Sequence, residues 1–137
     1  MASASLLDTG VVVALANRRD PDHVRCVDVW KQIRGQLVTV EGVLVESTHL
    51  LRRVPGGPEA ATNLVLEAGT VLVAPTADRM RTAVALARRY TNVPMDFVDA
   101  LLVAVAEELA ITDVLTLDHR GFGTYRLSKK RRFTIIP

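Results

Sequence analysis

At 137 residues the chain fits one compact domain, 1–137, and with 49% apolar but only 4% aromatic residues its core favours an α/β fold built from Val, Leu, Ala and Ile. No apolar run approaches the ~20 residues that span a bilayer, the opening MASASLLD lacks the basic stretch of a signal peptide, and the single cysteine permits no intrachain disulfide. We therefore expect a cytoplasmic protein without membrane contact.

Short strand-like runs alternate with longer helical ones from the start of the chain. The run SLLD at 5–8 predicts a buried strand, and TGVVVALAN at 9–17 predicts a helix directly after it. The sequence Asp-Pro-Asp at 20–22 predicts the start of a second helix, which Gly35 ends. Apolar residues at three-residue intervals predict the buried side of this helix, namely Val24, Val27, Trp30 and Ile33.

The same alternation continues to the C-terminus. A strand at 37–40 leads into a helix over 41–53, and the segment VPGGP at 54–58 ends that helix. Strands separated by helices require crossover connections, so we predict a mostly parallel sheet covered on both faces. The remaining predicted elements are a helix over 59–68, a strand at 71–74, a helix over 78–89, a buried helix from 96 or 97 to 109, a strand at 113–117 and a last strand in RRFTIIP.

Four acidic residues lie at the edges of apolar segments. They are Asp8 in SLLDTG, Glu46 in VLVESTHLL, Asp99 in DFVDALLVAVA and Asp118 in VLTLDHRGFG. A carboxylate in apolar surroundings is costly unless something offsets its charge. Because the carboxyl ends of parallel strands border the functional crevice, we expect these acids to converge there. Such a cluster suggests a magnesium or manganese site that acts on phosphate esters.

Each of these acids also has a structural interpretation. Asp8 can cap the helix that begins at Thr9, Glu46 can face solvent, and Asp118 can belong to a simple turn. The acids Asp96 and Asp99 stand three residues apart on one helical turn. We assign the helix cap to Asp96, which stays a secondary site candidate, and the site to Asp99.

Other residue patterns narrow the chemistry. The hydroxyls of Thr9 and Thr116 lie one or two residues from a site acid and can orient an acid or a metal-bound water. The chain has no GxGxxG, Walker-type or GxSxG motif, and its three scattered histidines lack zinc-ligand spacing. The Asp8-Thr9-Gly10 sequence also lacks the second acid of a phosphoryl-accepting DxD loop, so a phosphatase is a weaker alternative.

The charge distribution is compatible with a nucleic-acid partner. The net charge of +2 hides an asymmetry, because six of the 17 basic residues and none of the 15 acidic residues lie between His119 and Pro137. A basic tail that follows an acidic site can contact a phosphate backbone, although it can equally form a solvated turn far from the site. The candidate RNA contacts in this tail are Arg120, Lys129, Lys130, Arg131 and Arg132.

The segments LLDTGVVVAL, VLVESTHLL, DALLVAVAEELAI and VLTLDHRGFG, followed by RRFTIIP, are similar in order and spacing to those of the PIN-domain ribonucleases, in particular the VapC-type toxins. The resemblance covers essentially the full chain. It implies a three-layer α/β/α sandwich with a mostly parallel sheet of about five strands, and it carries the acidic quartet of the family onto Asp8, Glu46, Asp99 and Asp118. Many members have a second acid within the motif that reads DHRGF here, so a fifth acid has no counterpart.

The resemblance also implies an activity and partners. It implies an endoribonuclease that depends on Mg²⁺ or Mn²⁺, forms a homodimer and is inhibited by a cognate VapB-type antitoxin. Our hypothesis is that the quartet holds the metal and its attacking water. The alternatives are a structure-specific DNA nuclease and a non-catalytic RNA- or protein-binding module that keeps the acids as helix caps.

Overall fold

The computed structural model describes residues 3–137, in which five strands form one sheet. The strands are β1 (Ala4–Leu7), β2 (Gln36–Val40), β3 (Val71–Val73), β4 (Asp113–Leu115) and β5 (Thr134–Ile136). Their order in the sheet is β3-β2-β1-β4-β5, and every neighbouring pair is parallel. The predicted α/β fold class with a parallel sheet of about five strands is confirmed.

Seven α-helices connect the strands in the described residues. They are α1 (Thr9–Ala16), α2 (His23–Gln32), α3 (Glu41–Leu50), α4 (Gly57–Glu67), α5 (Ala77–Ala87), α6 (Phe97–Leu109) and α7 (His119–Thr124), with a short 3₁₀ turn at Ser128–Lys130. No helix in residues 3–137 is long and apolar enough to cross a membrane.

The handedness of the crossovers distributes these helices over both faces of the sheet. From β1 through β2 to β3 the chain moves in one direction across the sheet, and from β3 to β4 it moves back past its starting point. Because parallel crossovers are right-handed, α1 to α4 lie on one face and α5 and α6 on the other. The packing agrees, since α1 contacts α2, α3 and α4, while α5 packs on α6.

The core lies in the centre of the sheet and along α6. The strand residues Leu6, Leu7, Val114 and Leu115 are fully buried. Seven successive residues of α6, from Ala100 to Ala106, are buried, so this helix is covered on nearly all sides, as its apolar sequence predicts. The aliphatic composition therefore produces a rigid layered frame for the ends of β1 and β4.

The predicted apolar side of α2 was wrong in its first half, since neither Val24 nor Val27 packs on the core. Val24 is 71% exposed, and the residues of α2 and its C-terminal cap that pack on the core are Cys26, Val29, Trp30 and Ile33. A helix turns about 100° per residue, so a three-residue spacing drifts around the axis and Val24 faces away from Ile33. The observed spacing of three, four and seven residues follows a single helix face.

The predicted turn after Asp118 is a short helix. The side chain of Asp118 accepts a hydrogen bond of 2.9 Å from the backbone N–H of Gly121, which caps α7. Two glycines in HRGFGT obscured this helix, because glycine has a low helix propensity. The cap and the burial of Phe122 offset that weakness.

Candidate active site

The pairing of β1 with β4 brings the carboxyl ends of these strands side by side. Leu7 pairs with Leu115, and the backbone N–H of Asp8 donates to the carbonyl of Leu115 at 2.9 Å. Asp8 follows β1 directly, and Asp118 follows β4 three residues after Leu115. The chain path reverses between these two strands, and open α/β sheets bind ligands at such switch points.

Thr116 connects these two acids. Its buried hydroxyl donates to Asp8 Oδ2 at 2.6 Å and accepts from the backbone N–H of Asp118 at 3.0 Å. The other carboxylate oxygen of Asp8, Oδ1, accepts from the backbone N–H of Thr9 at 2.8 Å. Two short hydrogen bonds therefore fix the orientation of the Asp8 side chain, which is only 7% exposed.

Glu46 joins the cluster through the neighbouring helix. It is half-buried on α3, and its Oε1 atom accepts a 2.7 Å hydrogen bond from the Thr9 hydroxyl. The contact forms because β2 lies beside β1, so that α3 and α1 start from adjacent strand ends and pack together. Thr9 therefore contacts two acids, with its backbone on Asp8 and its hydroxyl on Glu46.

Asp99 enters from the opposite face of the sheet, in the first turn of α6. Its backbone N–H donates to the Asp96 carboxylate at 2.8 Å, so Asp96 caps the helix while Asp99 directs its carboxylate elsewhere. The buried Tyr125 hydroxyl lies 3.3 Å from Asp99 Oδ2 and 3.1 Å from the carbonyl of Pro94. The single phenolic hydrogen is shared between these two acceptors.

The electrostatics of the cluster are unfavourable for charged carboxylates. Burial, together with the charges of Asp118 and Glu46, raises the pKa of Asp8 to about 6, although hydrogen bonds from Thr116 and Thr9 oppose the rise. Burial, followed by the charges of Asp96, Asp8 and Asp118, raises the pKa of Asp99 to about 7. The acids from both faces of the sheet therefore interact within one crevice.

Nothing basic among the described residues compensates this charge, since none of the ion pairs found across 3–137 involves the four acids. As they stand, the side chains in that range form no group of three or more donors with metal-binding geometry. Magnesium, however, commonly uses only one or two carboxylates and keeps several waters. Asp8 has two of its roughly four acceptor positions free, and an all-oxygen donor set suits Mg²⁺ or Mn²⁺. The residues therefore fit such an ion.

The capping interpretation of Asp8 and Asp118 also describes real contacts. Asp8 caps α1 through Oδ1, and Asp118 caps α7 through its Oδ1 atom. Each cap uses one oxygen, and each carboxylate has two. Capping therefore orients these acids and leaves acceptor positions for a further ligand.

Comparison with known proteins identifies the family. The model of the PIN domain matches residues 5–127, which is most of the chain. This chain belongs to the PIN-domain family. No curated protein matches this chain.

Solved structures of toxins resemble this PIN domain. VapC20 of Mycobacterium tuberculosis, a toxin that cleaves the sarcin–ricin loop, is 27% identical, with a TM-score of 0.74 over 82% of this chain and 87% of that chain. A toxin–antitoxin complex from Klebsiella pneumoniae is 18% identical, with a TM-score of 0.65 over 88% and 91%. VapBC2 from Rickettsia felis, bound to a promoter DNA fragment, is 11% identical, with a TM-score of 0.61 over 98% and 99%. The last two show the fold alone.

The basic tail of the PIN domain divides into two locations. Arg120 lies in the first turn of α7, beside Asp118, where its guanidinium donates to the carbonyl of Asn92 at 3.3 Å. Residues 129–132 precede β5 and therefore lie at the edge of the sheet where the strands begin. The Ser128 N–H donates to Glu107 near the end of α6, which confirms this location at the edge opposite the acids. RNA contact by Lys129, Lys130, Arg131 and Arg132 stays a prediction.

Tyr125 is a residue of the candidate site that the sequence analysis did not predict. It is fully buried and forms edge-to-face contacts with Tyr90 and Phe122, which hold its hydroxyl against Asp99. No sequence pattern connects a tyrosine to an acid 26 residues earlier. Only the return of the chain after α7 brings them together.

Proposed function

We propose that this protein is a metal-dependent endoribonuclease and the toxin component of a VapBC-type toxin–antitoxin pair. The observation that carries the proposal is the meeting of Asp8 and Asp99 in one crevice with raised pKa values and without a basic partner. A fold gains nothing from such an arrangement unless a ligand compensates the charge. The metal-dependent nuclease chemistry that the PIN-domain resemblance implies needs a cation at this point.

In the proposed site, Asp8 and Asp99 hold a Mg²⁺ or Mn²⁺ ion, and Glu46 and Asp118 position its waters. The ion, when bound, makes a water easier to deprotonate and stabilises the leaving oxygen of the phosphodiester. Thr116 and the backbone of Thr9 keep Asp8 in one orientation. Because Asp99 has a pKa of about 7, protons compete with the metal for its carboxylate near neutral pH.

RNA is the proposed substrate because the carboxylate cluster suits phosphodiester hydrolysis and the similar toxin VapC20 cleaves the sarcin–ricin loop. Arg120 is a proposed phosphate contact, since it flanks Asp118 on α7. The toxin–antitoxin complexes among the similar structures support a VapB-type antitoxin as the partner. We also propose that the protein forms a homodimer and is located in the cytoplasm.

Cleavage of a tRNA pool by the purified full chain tests this function. We expect discrete products with Mg²⁺ or Mn²⁺, none with a chelator, and a loss of roughly 100-fold or more in Asp99→Asn, since even residues that only orient metal ligands cost 10–100-fold. Asp28→Asn, a change at an exposed acid of α2, is the matched control. Equal products from wild type and Asp99→Asn would contradict the proposal and identify a contaminating nuclease.

The non-catalytic alternative has one observation in its favour, because Asp8 and Asp118 both cap helices. A binding module would retain its affinity for RNA in chelator and in Asp99→Asn, and would give no products with metal. Single-stranded and hairpin DNA of the same base sequence, included in the same assay, test the DNA-nuclease alternative. Cleavage of DNA at the rate of RNA would overturn the ribonuclease assignment.

A further inference from the structure

A second recess lies outside the acidic crevice, between the end of α1 and the loop that joins α3 to α4. Its volume is about 470 Å³, and three arginines line it, namely Arg18, Arg19 and Arg53. Apart from Asn17, the other lining residues are small or apolar, and all three arginines are exposed. No acidic residue contributes to the lining.

The positive charge of this arginine pocket is uncompensated within the described residues. The side chains of Arg18 and Arg53 make no hydrogen bond or ion pair across residues 3–137, and Arg19 uses only its backbone N–H, which donates to Asn17. The adjacent acid in sequence, Asp20, accepts instead from the backbone of Asp22. Three unpaired guanidiniums around one opening repel each other, and an anion in the opening would relieve that repulsion.

The backbone at the pocket leaves its opening accessible. Gly56 caps the N-terminus of α4 with a left-handed backbone, φ +69°, and a Cβ atom built there would meet nothing within 4 Å. The first turn of α4, an 11-residue helix, therefore starts at the rim of the pocket without side-chain obstruction. That turn is a weak anion site by itself, because Pro58 has no N–H, the N–H of Gly57 donates to the carbonyl of Val54, and Glu59 adds a negative charge. The preference for an anion therefore comes from the arginines.

The pocket is connected to the acidic crevice by two helices that run the same way. Thr9 and Glu46 are in contact, and seven residues further along each segment come Ala16 and Arg53, which both line the pocket. The span from Thr9 to Ala16 lies within α1 and rises about 10 Å along it, while Arg53 follows the end of α3. An RNA strand whose cleaved bond lies at the acids therefore reaches the pocket within a few nucleotides.

We propose that the arginine pocket binds a backbone phosphate of the RNA substrate, a few nucleotides from the bond that is cut. Guanidinium forks bind phosphate oxygens in a bidentate manner, which suits three arginines around one opening. The inference rests on the proposed ribonuclease function, because it assigns a binding site to the same substrate. An acidic segment of a protein partner is the competing ligand class, and the test separates the two.

Binding of a fluorescein-labelled stem–loop RNA, measured by fluorescence anisotropy in chelator over a salt series, tests this site. We expect the variant R18Q/R19Q/R53Q to bind with a Kd raised about tenfold or more, since it lacks the charge-assisted hydrogen bonds to phosphate. The slope of log affinity against log salt should fall by about 0.7 for each phosphate that the variant no longer neutralises. The control variant K31Q/R34Q/R81Q removes three basic charges outside the pocket and should bind as wild type.

The outcomes are distinguishable from those of the cleavage assay. If the pocket variant binds RNA as tightly as wild type, or if the control variant loses as much affinity, the proposed phosphate site is overturned. The nuclease proposal still stands in that case, provided that wild type cleaves RNA with Mg²⁺. If the pocket variant loses affinity for an acidic peptide but not for RNA, the pocket binds a protein partner and the proposed phosphate site is overturned. RNA binding through the arginines without any cleavage would support the pocket and refute the nuclease. If the triple variant unfolds, Arg18→Gln and Arg53→Gln, each at an exposed side chain, provide the same comparison.

Discussion

Asp8 and Asp99 have carboxyl pKa values of about 6 and about 7, against an ordinary value of 3.8, and burial is the main cause of both shifts. Between pH 3.8 and these raised pKa values, the folded chain binds more protons than the unfolded chain does. The stability that protonation provides is complete below pH ~4 and is lost as pH rises towards 7. The metal-free site therefore destabilises the fold at neutral pH.

Asp99→Asn removes one of these charges and keeps the side-chain shape. We expect its free energy of unfolding in chelator to exceed that of wild type by roughly 1–2 kcal/mol at pH 8, a value reduced from the full pKa difference because solvent screens the half-buried carboxylate. The gain should be smaller at pH 5 and vanish near pH 4. Thermal or urea unfolding at the three pH values measures it, and an advantage that grows towards acid would contradict the assignment.

Bound magnesium should offset the charge repulsion that destabilises the wild-type fold at neutral pH. An ion that binds only the folded state stabilises it by about 2.7 kcal/mol at a hundredfold excess over its Kd. We expect MgCl₂ or MnCl₂ to raise the melting temperature of wild type at pH 8 and to have little effect on Asp99→Asn. The shift should also weaken below pH 7, because protons occupy Asp99. Equal shifts in both proteins would point to binding elsewhere.

Tyr125→Phe tests whether the buried tyrosine positions Asp99. The hydroxyl contact lowers the pKa of Asp99, and burial raises the pKa of Tyr125, so the phenol stays protonated. Without it we expect about 1 kcal/mol lower stability, up to ~10-fold slower cleavage and an acidic limb of the pH–rate profile displaced to higher pH. Tyr90→Phe loses the bond from the N–H of Arg126 and should cost similar stability without moving that limb. An unmoved limb in Tyr125→Phe would leave the tyrosine with only a structural role.

The position of Glu46 depends on how closely α3 approaches α6. A Cβ atom at Gly42 would lie 2.8 Å from Cγ2 of Val98, a stiff β-branched side chain. We expect Gly42→Ala to cost about 1–3 kcal/mol and to slow cleavage, because a displaced α3 draws Glu46 away from Thr9. In the Val98→Ala background the same change should be neutral or stabilising by up to ~1 kcal/mol, since alanine favours the helix. Additive losses in the double variant would contradict the steric explanation.

The element pattern was readable from the sequence wherever apolar periodicity was strong. The α6 helix has a long apolar run and the central strands have short ones, and their predicted positions agree with the structure to within a few residues. The prediction failed at two helices. A cap and one buried aromatic make α7 a helix despite two glycines, and the spacing that suggested Val24 for the core ignored the 3.6-residue turn.

The strand order of the whole molecule determines which acids meet, and no local pattern encodes it. That acids at strand ends converge follows from a general property of parallel sheets, so Asp8 and Asp118 were predictable. The order β3-β2-β1-β4-β5 makes β1 and β4 neighbours and places Asp99, on α6, beside them from the other face of the sheet. No pattern within one segment predicts that arrangement. The parallel direction of β5 separates residues 129–132 from the acids, because these residues precede the strand and the acids follow theirs. The sequence left both locations open for this segment because charge alone does not specify an edge of the sheet.

A flank of α5, beside its buried face, offers a surface for the homodimer that the resemblance implies. This helix packs inward through Ala83, Leu86 and Ala87, while Met80 and Val84, one turn apart, are 40% and 45% exposed. Adjacent exposed apolar side chains on one helix face are typical of protein interfaces. We therefore predict a native mass of twice 15.0 kDa by light scattering, and a monomer for M80E/V84E.

The control for that variant is Val24→Glu, a change at a residue that is 71% exposed on α2 and has no exposed apolar neighbour one turn away. It adds a charged residue outside the proposed interface and should leave the mass at that of the dimer. A monomeric wild type would refute the dimer itself. In a symmetric contact the two glutamates of one protomer would lie buried against the same two glutamates of its partner and repel them. A dimer that survives M80E/V84E would therefore assign the interface to another face.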